Sequence, residues 1–563
     1  MYVVLAHPPR TGGEGIVALF QPLDSHGAVN APAIEATDES FLPTLAQLET
    51  HSPRWVWNRT REWYPQLLES DTTLERCHDI TLCRAILAQS PDLAPGSPYI
   101  AAWHNPDTGN APTSPARQLP ALPAIPHQVS LFEAAPAPVG PALAAVVGEF
   151  QQHLSAVESS RNPARLALLL AAESSGALLA AEMEATGLPW RRDVHEALLE
   201  EHLGPRPAEG SRPAALERLA GELRATLGNP ALNPDSPQDV LRALHRAGIP
   251  AETTRSEELQ RHQHPAIAPL LAYKKLSRLL AANGWTWLDT WVRDGRFRTE
   301  YIVGGSGSGR WASRGGGALQ IPVQIRDAVR ADPGHKLVVA DAAQLEPRIL
   351  AALGRDTALA AAARGQDLYA GIAAQGFGGD RAKAKLAMLG AMYGATSGES
   401  GRLMPTLART YPHAVAVVEA AARTGEAGGV VGSHLGRGCP PPSSRWRQEQ
   451  QSTTAAEQQR AEAASRARGR FTRNFVVQST AAEWALCWLA GVRRQLRAGA
   501  APGAELVFFL HDEVVLHVPD SQVGQVQALL AEAAEAAAVL LFGKIPVGFP
   551  VGMAVVDSYA DAK

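Results

Sequence analysis

Residues Lys336 to Arg348 read Lys-Leu-Val-Val-Ala-Asp-Ala-Ala-Gln-Leu-Glu-Pro-Arg. Leu337 to Ala340 have the composition of a buried strand, and Asp341 stands where it ends, ahead of an Ala-rich helix predicted from Leu345. A carboxylate in that place can ligate a metal or cap the following helix, and this stretch alone does not separate the two. A second carboxylate would. Leu506 to Leu510 is apolar, His511-Asp512-Glu513 follows, and Val514 to Val518 is mostly apolar again, the pattern of a hairpin with acidic groups at its corner. If these strands pair, Asp341 and Asp512 meet. Two adjoining carboxylates repel unless divalent cations neutralise them, and such a pair is what two-metal phosphoryl transfer requires.

Arg381, Lys385, Leu389 and Tyr393 recur every four residues and so share one slowly turning helix face. Two cations, then an apolar and an aromatic residue, fit a nucleoside triphosphate laid lengthwise, although an ordinary amphipathic helix shows the same spacing. Arg470, Asn474 and Gln478 form a second four-residue stripe. Asn and Gln can donate to the purine N3 and pyrimidine O2 acceptors common to the minor groove of every base pair, which would test pair geometry without reading sequence. Gly304 to Gly317 is rich in Gly, Ser and Arg, and Arg310 is its most informative member as a phosphate contact. Gln320, in Leu319-Gln320-Ile321-Pro322, follows it.

The elements that must position these groups can be read in outline. Tyr2 to Ala6, Ile16 to Phe20 and Trp55 to Trp57 read as strands, and Trp63 to Leu68 and Ile80 to Leu87 as helices, which predicts a small α/β domain. Residues 94–141 are rich in Pro, Ala and Ser without sustained periodicity and read as a linker or long loop. Helical periodicity then runs from Ala142, through Leu166 to Met183, Leu216 to Leu227, Val240 to Ala247 and Ile267 to Leu280. Lys274, Lys275 and Arg278 on the last of these could follow a phosphate backbone or form a solvated face. Residues 443–468 read as a charged helix or partly disordered excursion with no chemistry assigned.

The 563 residues suffice for more than one domain, and 45% hydrophobic with 19% charged residues is a globular balance. The net charge of −4 excludes a wholly basic nucleic-acid coat and leaves room for a local patch. Cys77, Cys83, Cys439 and Cys487 lack Cys-x-x-Cys spacing, so neither a disulfide framework nor a zinc site is expected. No uninterrupted apolar run approaches bilayer length, and the first residues lack a secretory signal pattern. A cytoplasmic, nucleoid-associated monomer without a membrane partner is the expectation.

The order of these elements, Gly-Arg loop with Leu-Gln-Ile-Pro, strand-Asp, cationic helix and His-Asp-Glu hairpin, resembles family A DNA polymerases, the bacterial polymerase I group, over roughly residues 174–563. The first palm motif of that family, Asp-Tyr-Ser-Gln-Ile-Glu-Leu-Arg, is similar to Asp341-Ala342-Ala343-Gln344-Leu345-Glu346-Pro347-Arg348. The resemblance implies that Asp341, the Ala342 carbonyl and Asp512 bind two Mg²⁺ ions, that Glu513 belongs to the same catalytic group, and that Glu346 is a steric gate against a ribose 2′-hydroxyl. It implies nucleotide binding by Arg381, Lys385, Leu389, Tyr393, Gln344 and Glu346. Arg310, Gln320, Arg470, Asn474, Gln478 and His511 correspond to positions that contact primer and template. Leu389 replaces an aromatic residue, Asp367-Leu368-Tyr369 replaces Asp-Ile-His, and Pro347 is unusual.

The implied fold is multidomain α+β: a right-hand polymerase with helical thumb and fingers and an antiparallel-sheet palm, preceded by a small α/β exonuclease-like domain. The expected bounds are 1–173 for the exonuclease-like part and 174–563 for the polymerase, with a thumb near 190–282, palm at 283–364 and 470–563, and fingers at 365–469. Proofreading exonucleases of the family carry Asp-x-Glu on the first strand, a later Asp and Tyr-x3-Asp. Here the first strand runs into Ala6-His7-Pro8, Thr60 or a neighbour takes the second position, and no Tyr-x3-Asp precedes the polymerase part, so a degenerate domain is expected. The length before residue 174 is too short for a 5′-nuclease domain. Template-directed DNA synthesis on primer-template DNA with dNTPs is thus implied. A non-catalytic primer-template binder and a bifunctional enzyme with residual 3′-5′ exonuclease are the other readings.

Overall fold

In the computed structural model the described residues are 1–8, 15–100, 141–208, 210–314, 321–365, 367–394, 398–451 and 454–562. Gln320 and most of the Pro/Ala-rich stretch read as a linker, residues 101–140, lie outside them.

The N-terminal sheet comprises β1 (Tyr2–Ala6), β2 (Ile16–Leu23), β3 (Ile34–Thr37), β4 (Arg54–Trp57) and β5 (Arg76–Asp79), in the order β3-β2-β1-β4-β5. β1 pairs antiparallel with β2 and parallel with β4, and β5 extends the parallel side. Strand alternation sorts the apolar residues to two faces. Val3, Leu5, Trp55 and Trp57 enter one core, whereas Val4 and Val56 enter another with Ile80 and Phe150. The helices over the second face are α1 (Ile80–Leu87), capped by the Asp79 side chain through Leu82 N–H, and α2 (Leu143–Glu158).

Helix α3 (Pro163–Thr186) closes the first face with Leu178 and Ala181 and also contributes Leu166, Leu169, Leu170 and Leu179 to the main core. A division at 173/174 would therefore fall within one continuous helix. Helix Arg192–Leu203, for which periodicity gave no separate reading, follows, then Ala214–Thr226, Pro237–Arg246 and α4 (Ile267–Asn283), close to the readings from periodicity.

The central sheet is wholly antiparallel, in the order β7-β8-β6-β9, with β6 (His335–Ala342), β7 (Glu505–Leu510), β8 (Glu513–Pro519) and β9 (Val551–Val556). Against it lie α5 (Leu345–Gly354), α8 (Ala455–Arg497) and α9 (Val523–Phe542), reached through α6 (Leu368–Gly376) and α7 (Arg381–Tyr393). The charged stretch 443–468 is helical: Ser444–Glu449 is capped by Ser443, and α8 then starts at a capping box of Thr454 and Glu457. The later turns of α8 bury Trp484 and Trp488, their rings tilted at 33° with centroids 5.3 Å apart.

The expectation that no apolar run approaches bilayer length needs correction. Three helices, Pro163–Thr186, Ala455–Arg497 and the segment Asp520–Phe542, are long and apolar enough by composition to cross a bilayer. Interspersed Ala, Ser and Gly hid them from a search for uninterrupted apolar runs. The apolar windows of the first two are 72% and 83% buried inside the protein, where the helices pack on one another. All four cysteines are free thiols and buried.

Candidate active site

The register of the central sheet brings the predicted carboxylates together. Asp341, next to last in β6, lies opposite Glu513, the first residue of β8, and Ala342 N–H donates to the Asp512 carbonyl at 3.0 Å. The hairpin corner turns through His511, whose φ of 59° places it in the left-handed region and lets Asp512 stand at the sheet's open end. Burial pushes the Asp512 carboxyl above its ordinary range, with the Arg310 cation opposing that shift and the Glu346 and Glu513 charges adding to it. Glu513 is buried and its carboxylate accepts from the Tyr559 hydroxyl. Tyr559 was not foreseen: it follows the last strand, and nothing in the sequence points from there to a partner in β8.

Glu346, in the first turn of α5, joins three elements. Its Oε1 accepts from Arg310 Nη2 at 2.6 Å and its Oε2 from the Tyr393 hydroxyl at 2.7 Å. Arg310 comes from the Gly/Ser loop, which is also fixed by Ser308 Oγ donating to Gln478 Oε1 at 2.8 Å. The loop, the palm helix, the end of α7 and the side of α8 thus converge, and Arg310, Glu346, Tyr393 and Gln478 belong to one constellation. Gly394 ends α7 with φ 71°, and a Cβ there would come within 2.6 Å of Arg470 Cγ, so only glycine admits this approach of α7 to α8. Arg470 is exposed, and Asn474 and Gln478 are half-buried along the same stripe.

On α7 the buried face is Ala384, Ala387, Met388 and Ala391, which leaves Arg381, Lys385 and Tyr393 exposed and Leu389 half-buried on the opposite stripe. Arg381 Nε donates to Asp367 Oδ2 at 2.6 Å and its guanidinium sits 5.7 Å from the centre of the Tyr369 ring. Asp367 also caps α6 through Tyr369 and Ala370 N–H and accepts from Gln344 Nε2 at 3.0 Å. Its carboxyl is held below the ordinary range chiefly by Arg381. Gln344, left-handed at φ 55°, returns the link by accepting from Leu368 N–H at 2.7 Å. Tyr369, where the family pattern has a cationic residue, is buried beneath Arg381.

Beside the carboxylates opens a cleft of about 1100 Å³, walled by Lys274, Lys275 and Arg278 of α4 and by Arg326 and His511 on the palm side. Burial lowers the His511 imidazole from its usual range. A groove with Lys274, Lys275 and Arg278 along one wall and Arg326 on another suits a polyanion. At the first parallel strands of the N-terminal sheet, by contrast, His7 stacks on Trp63 at 4.1 Å, and Asp79 is buried with Oδ2 accepting from Thr60 N–H at 2.7 Å and Thr60 Oγ1 at 2.9 Å. Among the described residues no group of three or more carboxylates is gathered closely enough there to hold a metal.

Comparison with known proteins agrees with this geometry. DNA polymerase family A matches residues 212–561. The thermostable DNA polymerase I of Thermus filiformis is 28% identical over 381 residues, covering 60% of this chain and 43% of its own length. That of Thermus aquaticus is 27% identical over 418 residues, 67% of this chain and 46% of its own. The chain spans less than half the length of these relatives. In fold it is similar to the POL domain of Pol1 from M. smegmatis, solved with DNA primer-template and dNTP, at a TM-score of 0.68 and 19% identity, covering 97% of this chain and 93% of that one. The family match covers more than half of the 563 residues, and the chain belongs to DNA polymerase family A.

Proposed function

We propose that this chain is a template-directed DNA polymerase that adds deoxynucleotides to a primer 3′ end, without proofreading, in repair or gap filling. The observation that carries the proposal is the placement of Asp341 and Asp512 at adjoining strand ends, bridged by the Ala342–Asp512 backbone hydrogen bond, with the preceding residue, His511, lining a cation-walled cleft. The donor set there, two carboxylates and the Ala342 carbonyl, is all oxygen, which suits Mg²⁺ rather than a thiophilic ion. When bound, two Mg²⁺ ions held by Asp341, Ala342 and Asp512 would neutralise developing phosphate charge and lower the pKa of the attacking hydroxyl.

The remaining roles are those of the chain's own side chains. Arg381 and Lys385, both exposed and one turn apart, clamp the leaving phosphates, which requires Arg381 to exchange Asp367 for the triphosphate. Glu346, held by Arg310 and Tyr393, stands against the sugar. Arg470, Asn474, Gln478 and His511 take the template and primer, and Lys274, Lys275 and Arg278 the duplex backbone. Gln320 belongs to the same proposed set by its motif alone. Residues 1–173 serve as an exonuclease-like domain without its catalysis, supported by the engagement of Asp79 with Thr60 and the α1 cap.

The test is single-turnover extension of a labelled primer with one dNTP. Asp341→Ala should remove incorporation while primer-template affinity stays within about threefold of the parent protein. Binding without incorporation by the unmodified chain would make it a scaffold instead, and metal-dependent shortening of the primer without dNTP would restore an exonuclease.

A further inference from the structure

Far from the carboxylates, three donors of different kinds meet in the N-terminal domain. His78 at the end of β5, Cys83 on α1 and His153 on α2 are all buried, and one ligand atom from each lies within 4.8 Å of the others. It is the one such cluster of three His, Cys, Asp or Glu donors among the described residues. His78 Nε2 and His153 Nδ1 are 3.0 Å apart, and Cys83 Sγ is 3.8 Å from His78 Nδ1. Phe150 packs edge-on to His78 at 5.0 Å and Tyr99 lies 5.6 Å from His153, so the group is enclosed by rings.

The second nitrogen of His153 supplies an independent observation. Nε2 is buried without a hydrogen bond, and the nearest acidic group, Glu149 Oε1, stands 3.6 Å away, one helical turn back on α2. A carboxylate on that side favours the tautomer with Nε2 protonated, which leaves Nδ1 to present its lone pair inward. Glu149 is itself held by Arg84 of α1.

We propose that His78, Cys83 and His153 form a binding site for a borderline-soft transition-metal ion of the Zn²⁺ class. The nitrogen pair is spaced close to the tetrahedral edge, about 3.3 Å, that Zn–N bonds of about 2.0–2.1 Å imply. A small rotation brings the sulfur into reach. Binding releases one proton, that of the Cys83 thiol. His78 moves its own proton from Nε2 to Nδ1 as Cys83 Sγ turns from Nδ1 toward the nitrogen pair, and both inward nitrogens then coordinate as neutral imidazoles. One position stays open for water or another small donor.

The site is structural in location. It would join β5, α1 and α2 and so close the chain between residues 83 and 153, a staple across the 101–140 stretch whose gain comes from restricting the unfolded chain. Spacing could not reveal it, because the donors come from three separate elements and none belongs to a Cys-x-x-Cys pair.

The test uses the full chain, stripped of metal with a chelator and titrated with Co²⁺ alone. One equivalent should produce a sulfur-to-cobalt charge-transfer band in the near ultraviolet, bleached by one equivalent of Zn²⁺, and the thermal midpoint should rise on addition of Zn²⁺. Carboxylate sites carry no sulfur and give no such band. Cys83→Ser should lose the band, and His153→Gln, which keeps the thiol, should bind Co²⁺ at least tenfold more weakly. Absence of the band in the folded unmodified chain, its persistence in Cys83→Ser, or unchanged affinity in His153→Gln would each overturn the proposal.

Discussion

The Tyr393 hydroxyl donates to Glu346 Oε2 at 2.7 Å, tying the last residue of the cationic helix α7 to the first turn of α5, the helix that follows β6. Burial, and after it the Glu346 carboxylate, push the Tyr393 phenol above its usual range, so the hydroxyl remains a donor throughout the working pH range. Arg310 occupies the other oxygen, which leaves the carboxylate little freedom to turn away from a sugar placed beside it. Tyr393→Phe removes one of the two restraints on a half-exposed pair, a loss of about 1 kcal/mol. Discrimination against ribonucleotides, measured as the ratio of kcat/KM values, should fall about fivefold, with little change in thermal stability.

The Asp367–Arg381 pair predicts an effect in the opposite direction. Asp367→Asn keeps a good capping residue for α6 while removing the charge that holds Arg381. The pair is well exposed and screened by solvent, so its release is a small effect. Apparent dNTP affinity should therefore rise about two- to fivefold in a nucleotide titration of primer extension, and weaker affinity would show that Asp367 positions Arg381 instead of restraining it.

Arg348 is fully buried and donates to four carbonyls: Ala343 at 3.0 Å, Ala363 at 2.7 Å, Gly365 at 2.9 Å and Gly548 at 2.8 Å. It thereby fixes the turn after Asp341 to the segment before α6 and to the approach of β9. Lysine carries the charge but not the planar fork, and several of these acceptors would lose their donor. Arg348→Lys should cost about 3 kcal/mol or more in denaturant unfolding, with a parallel drop in extension rate.

A pH dependence of stability should arise at His195. Its Nδ1 accepts from Trp190 Nε1 at 3.2 Å and its Nε2 faces the Asn283 carbonyl at 2.9 Å, so the buried ring is held neutral between α4 and the helix Arg192–Leu203. Burial lowers its pKa from 6.5 to about 4. Because the folded value is depressed, the stabilisation is complete above pH 6.5 and is lost as pH falls from 6.5 toward 4, by an amount on the order of 3 kcal/mol. Unfolding of the parent chain and of His195→Gln, followed from pH 7.5 to 4.5, should show a steeper acid decline in the parent.

What could be read beforehand was mostly local. The strand ending at Asp341, the helix starting at Leu345 and the His-Asp-Glu hairpin follow from short apolar runs and their punctuation, and β6 and α5 lie where those runs put them. The exposed stripe of α7 follows from four-residue spacing. Arg381's tie to Asp367, the bridge through Glu346 and the support of Glu513 by Tyr559 were invisible because each joins separate elements. Stretch 443–468 was ambiguous for another reason: its charge and its Gln and Ala content suit a solvated helix as well as loose chain, and packing of the later turns of α8 decides the matter.

Arg493, near the end of α8, reaches across to the N-terminal domain, where it donates to Glu182 Oε1 at 2.6 Å and to the Leu74 and Glu75 carbonyls at 2.5 and 2.7 Å. The rod that carries Arg470, Asn474 and Gln478 therefore has its far end mortared into the N-terminal domain, which gives that stripe a fixed footing.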